Sequence, residues 1–518
     1  MDRLRNLTVA ALMSLAAAWP MTCVAALSPP STNVAWLPAA SDADIERAFG
    51  QAKAEGKPVL LYWGATWCPP CNQLRATLFN RQDFAAQSKA FVAVHVDGDR
   101  PAAQKLGARF KVSGYPTLVL FTTGGVEITR LPGEVDAPQV MAVLQAGLAG
   151  GRPIAAVLAD ARSGEPVTAN EWRMLAFHSW ETDESGLVTK GDRPAVLAEL
   201  ASKSPVGDGE TSTRLWLKAL AASDDGKGIK PDAALRQRVQ RVLSDAAQSR
   251  THMDVLTYGA HDIVKVLTGD DDADRAPLAA LFDTALARLQ GDASLSRGDR
   301  VSALIARVDV ARLGQPKETT QPKLPAPLVQ EVREMAARMD REITDGYERM
   351  AVITAVAYLQ AEAGLWADSD ALLKANLAKS HSPYYLMSQL AGNAKKLGKK
   401  GEALRWYEQA YDKSEGPATR LQWGASYVNA LVDLAPADAP RIEKAVAKLL
   451  ADAAQDKGAF HERSARSLQR VGKKLSSWNA DGKHAASFRR LQAQLDGLCA
   501  KVDAADGQRA TCAALLPR

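Results

Sequence analysis

Between residues 36 and 148, short apolar runs alternate with segments of helical composition. The apolar runs predict strands, and the segments between them have the spacing of helices. The predicted strands are 59–63, 91–96, 117–122 and 126–131, the last two joined as a hairpin, and the predicted helices are 71–79, 102–110 and 137–148. This order of elements is typical of an α/β domain, which we place at residues 34–150.

Beyond residue 153 the pattern changes to long amphipathic segments rich in alanine and leucine, with almost no strand candidates. The clearest buried helical face repeats every three or four residues and consists of Leu328, Val332, Met335, Met339 and Ile343. Four prolines interrupt the helical pattern in segment 315–327, which predicts a linker. We therefore expect helical domains at 154–313 and 328–518.

A faint repeat follows the predicted linker. Gly364 and Gly398 are 34 residues apart, and each lies between two amphipathic segments. This spacing is the period of tetratricopeptide repeats, which the second unit resembles best through Leu397, Ala403, Tyr407 and Ala410. We expect helical hairpins stacked into a short solenoid, which either binds peptides or other proteins or is merely structural.

Residues 1–26 have the pattern of an export signal. Arg3 and Arg5 precede an apolar run at 7–18, and small residues at 24–26 offer a cleavage site. The run is too short to span a bilayer, and no later stretch supplies about 18 uninterrupted apolar residues. We expect a periplasmic or otherwise exported protein with no transmembrane span in the mature chain.

Composition excludes several classes of partner and cofactor. The 518 residues are 47% apolar, and 64 basic against 59 acidic residues leave a net charge of +5. No concentrated basic stripe is present, so a nucleic-acid partner is not expected. The seven histidines show no zinc-ligand spacing with cysteine or acidic residues, so we expect no metal and no cofactor.

The cysteines beyond the export signal form two separate pairs. Cys68 and Cys71 lie near one end of the chain, and Cys499 and Cys512 near the other. In an oxidising compartment this even number favours disulfides, and the gap between the pairs argues against one four-cysteine zinc site. Cys499 and Cys512 flank a polar turn, so a structural disulfide is the simplest interpretation, with a second redox relay as the alternative.

Residues 62–71 (YWGATWCPPC) resemble the active-site strand and turn of the thioredoxin superfamily, and residues 114–117 (GYPT) resemble its distant proline element. Residues 55–58 (EGKP) look especially like the periplasmic domain of the thiol:disulfide interchange type. The resemblance implies a cis bond before Pro116 and a substrate-binding edge at Tyr115 and Pro116. Trp67 should then shield one side of the thiol pair and form part of the accessible substrate-binding surface.

The two-residue spacing of Cys68 and Cys71 at a helix start suits disulfide exchange. We expect Cys68 to face solvent as the nucleophile, because the helix start favours its thiolate, and Cys71 to be the less exposed resolving thiol. Pro69 and Pro70 should stiffen the turn. Arg75 either favours the thiolate electrostatically or is a solvated charge on the helix face.

A half zinc site and a haem c attachment point are the competing interpretations of this cysteine pair. Haem attachment requires histidine after the second cysteine, where this chain has Asn72, and no second closely spaced thiol pair is nearby. One departure from the thioredoxin pattern is Tyr62, which occupies the position of a buried aspartate in that family. The reduction potential and the direction of electron flow therefore stay open.

Two classes of function remain. The first is an exported thiol:disulfide oxidoreductase, a reductase or isomerase that acts on protein disulfides, receives electrons from a membrane thiol:disulfide donor, and uses its helices to select partners. The alternative is a non-catalytic binding scaffold. The presence of both Cys68 and Cys71 favours the enzyme.

Overall fold

A computed structural model describes residues 34–112, 114–133, 136–182, 186–205, 209–224, 226–269, 273–503 and 507–516. The export signal predicted at 1–26 lies outside these residues. In the part of the chain that is described, no helix combines the length and the hydropathy that a membrane span requires.

A five-stranded mixed sheet forms the centre of the N-terminal part. Its strands are β1 (Leu37–Ala39), β2 (Val59–Gly64), β3 (Val92–Asp97), β4 (Thr117–Phe121) and β5 (Glu127–Leu131). They lie in the order β1-β3-β2-β4-β5. Strand β3 pairs in parallel with β1 and with β2, whereas β4 pairs antiparallel with β2 and with β5. In β2 every residue is buried, and Leu60 and Tyr62 face one side of the sheet while Leu61 and Trp63 face the other.

Helices cover both faces of this sheet. They are α1 (Asp42–Glu55), α2 (Pro69–Leu74), α3 (Gln82–Gln87), α4 (Ala103–Arg109) and α5 (Ala137–Leu148). The predicted strands and helices are confirmed to within a few residues, except that segment 71–79 is divided between α2 and a π-helical turn, Arg75–Phe79. The sequence analysis did not identify β1, α1 or α3.

The rest of the described chain is helical. Its helices are α6 (Ile154–Ser163), α7 (Ala169–Phe177), α8 (Arg193–Lys203), α9 (Gly209–Ala222), α10 (Ala233–Ser244), α11 (Ala246–Thr251), α12 (Met253–Thr268), α13 (Arg275–Gly291), α14 (Arg297–Ala311), α15 (Ala326–Glu342), α16 (Gly346–Glu362), α17 (Trp366–Asn376), α18 (Pro383–Lys396), α19 (Lys400–Lys413), α20 (Pro417–Leu434), α21 (Ala439–Ala453), α22 (Glu462–Trp478), α23 (Ala485–Cys499) and α24 (Gln508–Ala513). The predicted fold class, an α/β domain followed by a mainly helical region, is confirmed.

Helical hairpins occur at the predicted repeat. Gly364 and Gly398 adopt positive φ angles of 79° and 72° after α16 and α18, where the chain reverses into α17 and α19. All five residues of the face predicted on α15 and its end are buried. Membership of the tetratricopeptide family stays a prediction.

The segment predicted as a linker lies between helices that share a core. Val301 and Leu304 of α14 pack in one apolar cluster with Leu328 and Val332 of α15. Trp366 also donates a hydrogen bond to a carbonyl group within the segment. The shared apolar cluster thus joins the helices on the two sides of the segment. The domain boundaries at 313 and 328 stay predictions.

The helical region packs directly against the sheet-containing region. Helix α2 lies against α16, and α4 lies against α22. Gln73 donates a hydrogen bond to Ser296 at the start of α14, and Arg250 forms an ion pair with Asp136 at the start of α5. These contacts join helices from distant parts of the sequence to the sheet-containing region.

Candidate functional site

The two cysteines lie where β2 ends and α2 begins. Cys68 is the N-cap residue of α2, and its Sγ accepts a hydrogen bond from the backbone N–H of Cys71 at 3.2 Å. The two residues form a disulfide with their Cα atoms 5.2 Å apart. An N–H aimed at the Cys68 sulfur also favours its thiolate when the pair is reduced.

The turn between the cysteines is held by groups on both sides. Pro69 and Pro70 occupy the first helical positions, where a missing N–H breaks no helical hydrogen bond. Asn72 is buried and donates from Nδ2 to the carbonyl oxygens of Thr66 and Cys68 at 2.8 and 2.9 Å. The sequence analysis assigned Asn72 no role, because an asparagine in a helical segment gives no signal of a backbone partner.

The Tyr115–Pro116 peptide bond is cis, as the resemblance implied. The Tyr115 hydroxyl accepts a hydrogen bond from Gln104 Nε2 at 2.8 Å. Gln104 is itself buried, and its side-chain oxygen accepts the backbone N–H of Arg463 in α22. The proline loop is therefore tied to the helical region, a link that the sequence analysis missed.

The expectation that Trp67 lies at an accessible surface is wrong. Its side chain is only 5% exposed and contacts Tyr115 together with three residues of the helical region, Tyr385, Trp423 and Arg463. The Arg463 guanidinium lies 4.9 Å from the Trp67 ring centre, a cation–π distance. Trp67 therefore joins the redox turn to helices that are more than 300 positions away in sequence.

The expectation that Cys68 faces solvent is also wrong. Cys68 and Cys71 are each only 3% exposed. His381, from the helical region, places its Nε2 3.1 Å from the Thr66 carbonyl oxygen beside the turn. Helical residues therefore cover a cysteine pair that a free thioredoxin-like domain would be expected to present to solvent.

A buried carboxyl group lies beside Trp67. Asp99 Oδ2 accepts a hydrogen bond from the Trp67 indole N–H at 2.7 Å. Burial raises the pKa of Asp99 to about 6, although the Trp67 hydrogen bond opposes this shift. Asp99 therefore stays protonated to a higher pH than an ordinary aspartate.

Tyr62 contributes packing at the position where the family usually has an acid. Its ring stacks on His95 with centres 4.8 Å apart and also contacts Phe79. Burial raises the pKa of the Tyr62 hydroxyl above its ordinary value and lowers the pKa of His95. Near neutral pH, Tyr62 is neutral.

Arg75 is positioned by the helical region. Its guanidinium carbon lies 3.8 Å from the centre of the Tyr347 ring in α16, and Tyr347 also contacts His381. This cation–π contact fixes a charge one turn after Cys71. The geometry gives Arg75 a docking role, and the tuning role predicted from the sequence stays a prediction.

A cavity of about 740 Å³ lies between the redox turn and part of the helical region. Pro69, Pro70, Tyr115 and Pro116 line it on one side. Residues of α9, α12, α14, α16 and α18 line the other side. The structure thus brings four of the residues predicted as site residues to one cavity wall, adjacent to the buried cysteines.

The second cysteine pair is far in sequence from the redox turn and links helices α23 and α24. Cys499 ends α23, and Cys512 lies in α24, with their Cα atoms 5.6 Å apart in a disulfide. Both residues are buried in the apolar core. Within the described ranges, no group of three or more histidine, cysteine or acidic residues is arranged to hold a metal ion.

The sheet order, the cysteine turn at the end of β2 and the opposing cis-proline loop define a thioredoxin-like domain. Residues 45–148 match the family model of the thioredoxin-like domain. The chain therefore carries this domain in front of a helical region.

The chain is similar to several bacterial thiol:disulfide interchange proteins. It is 35% identical over 120 residues to thiol:disulfide interchange protein DsbD 2 of Pseudomonas aeruginosa, which covers 22% of this chain and 20% of the relative. It is 33% identical over 113 residues to DsbD 1 of the same organism, covering 21% and 19%. The match to DsbD of Cronobacter sakazakii is 34% over 99 residues, covering 18% and 17%. The chain thus spans about a fifth of the length of the curated relatives it matches.

Proposed function

We propose that this chain is an exported thiol:disulfide oxidoreductase that acts on protein disulfides through Cys68 and Cys71. The observation that carries the proposal is the position of Cys68 at the start of α2, bonded to Cys71 and receiving its N–H. The cis-proline loop at Pro116 lines a cavity together with the residues between the cysteines. The names of the similar proteins support the same chemistry.

Reduction of a substrate follows two exchange steps. The Cys68 thiolate attacks one sulfur of the substrate disulfide, so a bond forms between Cys68 and substrate while the substrate S–S bond breaks and the leaving thiolate takes up a proton. The Cys71 thiolate then attacks the Cys68 sulfur and releases the second substrate thiolate. Two electrons pass to the substrate, and the Cys68–Cys71 disulfide remains.

Return to the dithiol form requires an external reductant. We assign this role to a membrane thiol:disulfide donor that reduces Cys68–Cys71 by the same exchange chemistry. An isomerase would instead resolve the mixed disulfide with another thiol of the substrate. The proposed export signal at 1–26 supports a location outside the cytoplasm.

The remaining site residues take supporting roles. Tyr115 and Pro116 bind the substrate backbone, and Pro69 and Pro70 restrict the turn. Arg75 favours negative charge near the thiol pair. Trp67 positions the turn through its contacts with the helical region, which selects partners in this proposal.

A binding scaffold without turnover is the second candidate. The burial of Cys68 favours it, because disulfide exchange requires access of the substrate sulfur to the attacking thiolate. In a scaffold the Cys68–Cys71 disulfide would stabilise the turn and not cycle.

Insulin reduction by the full-length protein, with dithiothreitol as electron donor, distinguishes these candidates. We expect Cys68→Ser to lower the rate to the background that dithiothreitol gives alone. The matched control is the pair Cys499→Ser and Cys512→Ser, which should retain the wild-type rate per folded molecule. Equal rates for wild type and Cys68→Ser would favour the scaffold.

A further inference from the structure

The mouth of the cavity beside the redox turn carries exposed aromatic side chains. Tyr258 of α12 and Tyr358 of α16 both line this cavity and are 59% and 47% exposed. Three large hydrophobic side chains are exposed in the described ranges: Tyr258, Tyr358 and Val126. Exposed aromatic groups that border a pocket mark a binding surface, because their rings offer apolar area and their hydroxyl groups remain solvated.

The cavity size limits what can reach the redox turn. Its volume of about 740 Å³ falls within the roughly 300–1,000 Å³ typical of pockets that enclose a ligand of drug size. A few residues of an extended chain fit such a space, whereas a folded domain does not. Cys68 is 3% exposed and does not line the cavity, whereas its neighbours Pro69 and Pro70 do, so a ligand must enter the cavity to come beside the thiol pair.

The charges of the lining nearly balance. Glu181, Asp262 and Asp299 line the cavity together with Arg193 and Lys218. Asp254 also lines it, but its carboxylate is paired with the buried guanidinium of Arg214. The lining therefore suits a neutral peptide and sets no strong preference for ligand charge.

We propose that this cavity is the substrate cleft and that it takes a disulfide carried on an extended, flexible polypeptide segment. Tyr258 and Tyr358 bind that segment at the mouth, while Pro70 and Pro116 meet it next to the thiol pair. This inference rests on the proposed oxidoreductase function. It assigns the helical region a specific task, which is to admit flexible segments and exclude folded surfaces.

The test measures reduction kinetics of the full-length protein with dithiothreitol as electron donor. Three disulfides are compared: a short unstructured neutral peptide, a folded protein with a rigid surface disulfide, and the small neutral 2-hydroxyethyl disulfide. The variants are the double substitution Tyr258→Ala and Tyr358→Ala, with Val126→Ala as the exposed control outside the cavity.

We expect wild type to reduce the peptide with a much higher kcat/KM than the folded protein. The double variant should raise KM for the peptide about tenfold, equivalent to about 1.4 kcal/mol of binding. Its rate with 2-hydroxyethyl disulfide and all rates of Val126→Ala should match wild type.

The outcomes separate this inference from the proposed function. An unchanged peptide KM in the double variant, or equal kcat/KM for the folded protein and the peptide, would overturn the cleft assignment while leaving the enzyme intact. Failure of wild type to reduce even 2-hydroxyethyl disulfide above the background would overturn the proposed function, and the cleft assignment with it.

Discussion

At the scale of single residues, Asn72 carries much of the geometry of the redox turn. Its amide nitrogen donates to two carbonyl groups that lie on either side of Trp67. Asn72→Ala removes both donors in a buried site, and the Cys68 carbonyl keeps its bond from the backbone N–H of residue 72. We expect the free energy of unfolding to fall by about 1–2 kcal/mol and kcat/KM to fall as the turn loosens.

Urea denaturation and the insulin assay measure these two effects. The matched control is Asn80→Ala, because Asn80 is exposed at the end of the same helical segment. A variant at position 72 that is as stable and as active as Asn80→Ala would contradict the role of Asn72.

Asp99 makes the stability depend on pH. Burial raises its pKa from 3.8 to about 6 in the folded chain, so between about pH 4 and pH 6 the folded state holds a proton that the unfolded state releases. Its contribution to stability therefore falls as pH rises through this window. Asp99→Asn keeps an acceptor for Trp67 but cannot ionise. We expect the variant to gain about 2 kcal/mol relative to wild type between pH 4 and pH 7.

Urea denaturation of both proteins across this pH range tests the prediction. Asp83→Asn provides a control of opposite sign, because the hydrogen bond from Arg81 holds the pKa of Asp83 below its usual range. That variant should lose stability relative to wild type as pH rises, weakly because the pair is exposed. Parallel curves for wild type and Asp99→Asn would show that Asp99 is not the titrating group.

Sequence analysis succeeded for residues whose structural partners are close in sequence and failed for residues whose partners are distant in sequence. The pairing of Cys68 with Cys71 and the cis bond before Pro116 follow from local motifs, and both are present in the structure. The burial of Trp67 depends on Tyr385 and Arg463, which no local pattern connects to it. The local geometry of these motifs was therefore predictable, whereas the accessibility of Cys68 and Trp67 was not.

At the scale of elements, periodic apolar patterns predicted the longer strands and helices. Strand β2 and helix α5 have strong local patterns and were identified with nearly correct ends. Strand β1 has only three residues, too few to show an alternating pattern. Helix α1 was missed although Ser41 and Asp44 form a capping box at its start, which is a signal that the sequence does contain.

The terminal disulfide is an element-scale feature with a separate prediction. Cys499 and Cys512 are 13 positions apart. Closing a loop of this size reduces the entropy of the unfolded chain and so stabilises the folded chain by about 3 kcal/mol. Replacing both with alanine should lower the melting temperature while leaving insulin reduction per folded molecule unchanged. Calorimetry and the insulin assay test this, and a large loss of turnover without unfolding would instead support a relay between the two cysteine pairs.

The contact between α2 and α16 links the redox turn to the helical region. Tyr347→Leu removes the ring beneath Arg75 but retains apolar packing. If docking holds Arg75 near the thiol pair, the variant and Arg75→Met should each slow the alkylation of Cys68 in the reduced protein near neutral pH, because less positive charge then favours the Cys68 thiolate. The pH dependence of Cys68 alkylation in the reduced protein measures this. If the pH dependence of Cys68 alkylation is unchanged in both variants, Arg75 does not affect the thiolate and its role is limited to docking.

At the scale of the whole molecule, the helices do more than extend the chain beyond its thioredoxin-like domain. They cover the dithiol, tie the proline loop through Gln104, and form the far wall of the cavity. Amphipathic periodicity predicted that the helices exist, because periodicity reports which face is buried. It does not report which element covers that face, and so the enclosure of Cys68 was not predictable from the sequence.

The most direct test of the central claim is capture of a covalent intermediate at Cys68. Full-length protein carrying Cys71→Ser is mixed with an unstructured disulfide peptide, and the product is identified by intact-mass and peptide-mass spectrometry. The account predicts a mixed disulfide between Cys68 and one half of the peptide, and none when Cys68→Ser is added. Absence of this adduct in folded Cys71→Ser protein, or the same adduct yield with both cysteines replaced, would contradict it.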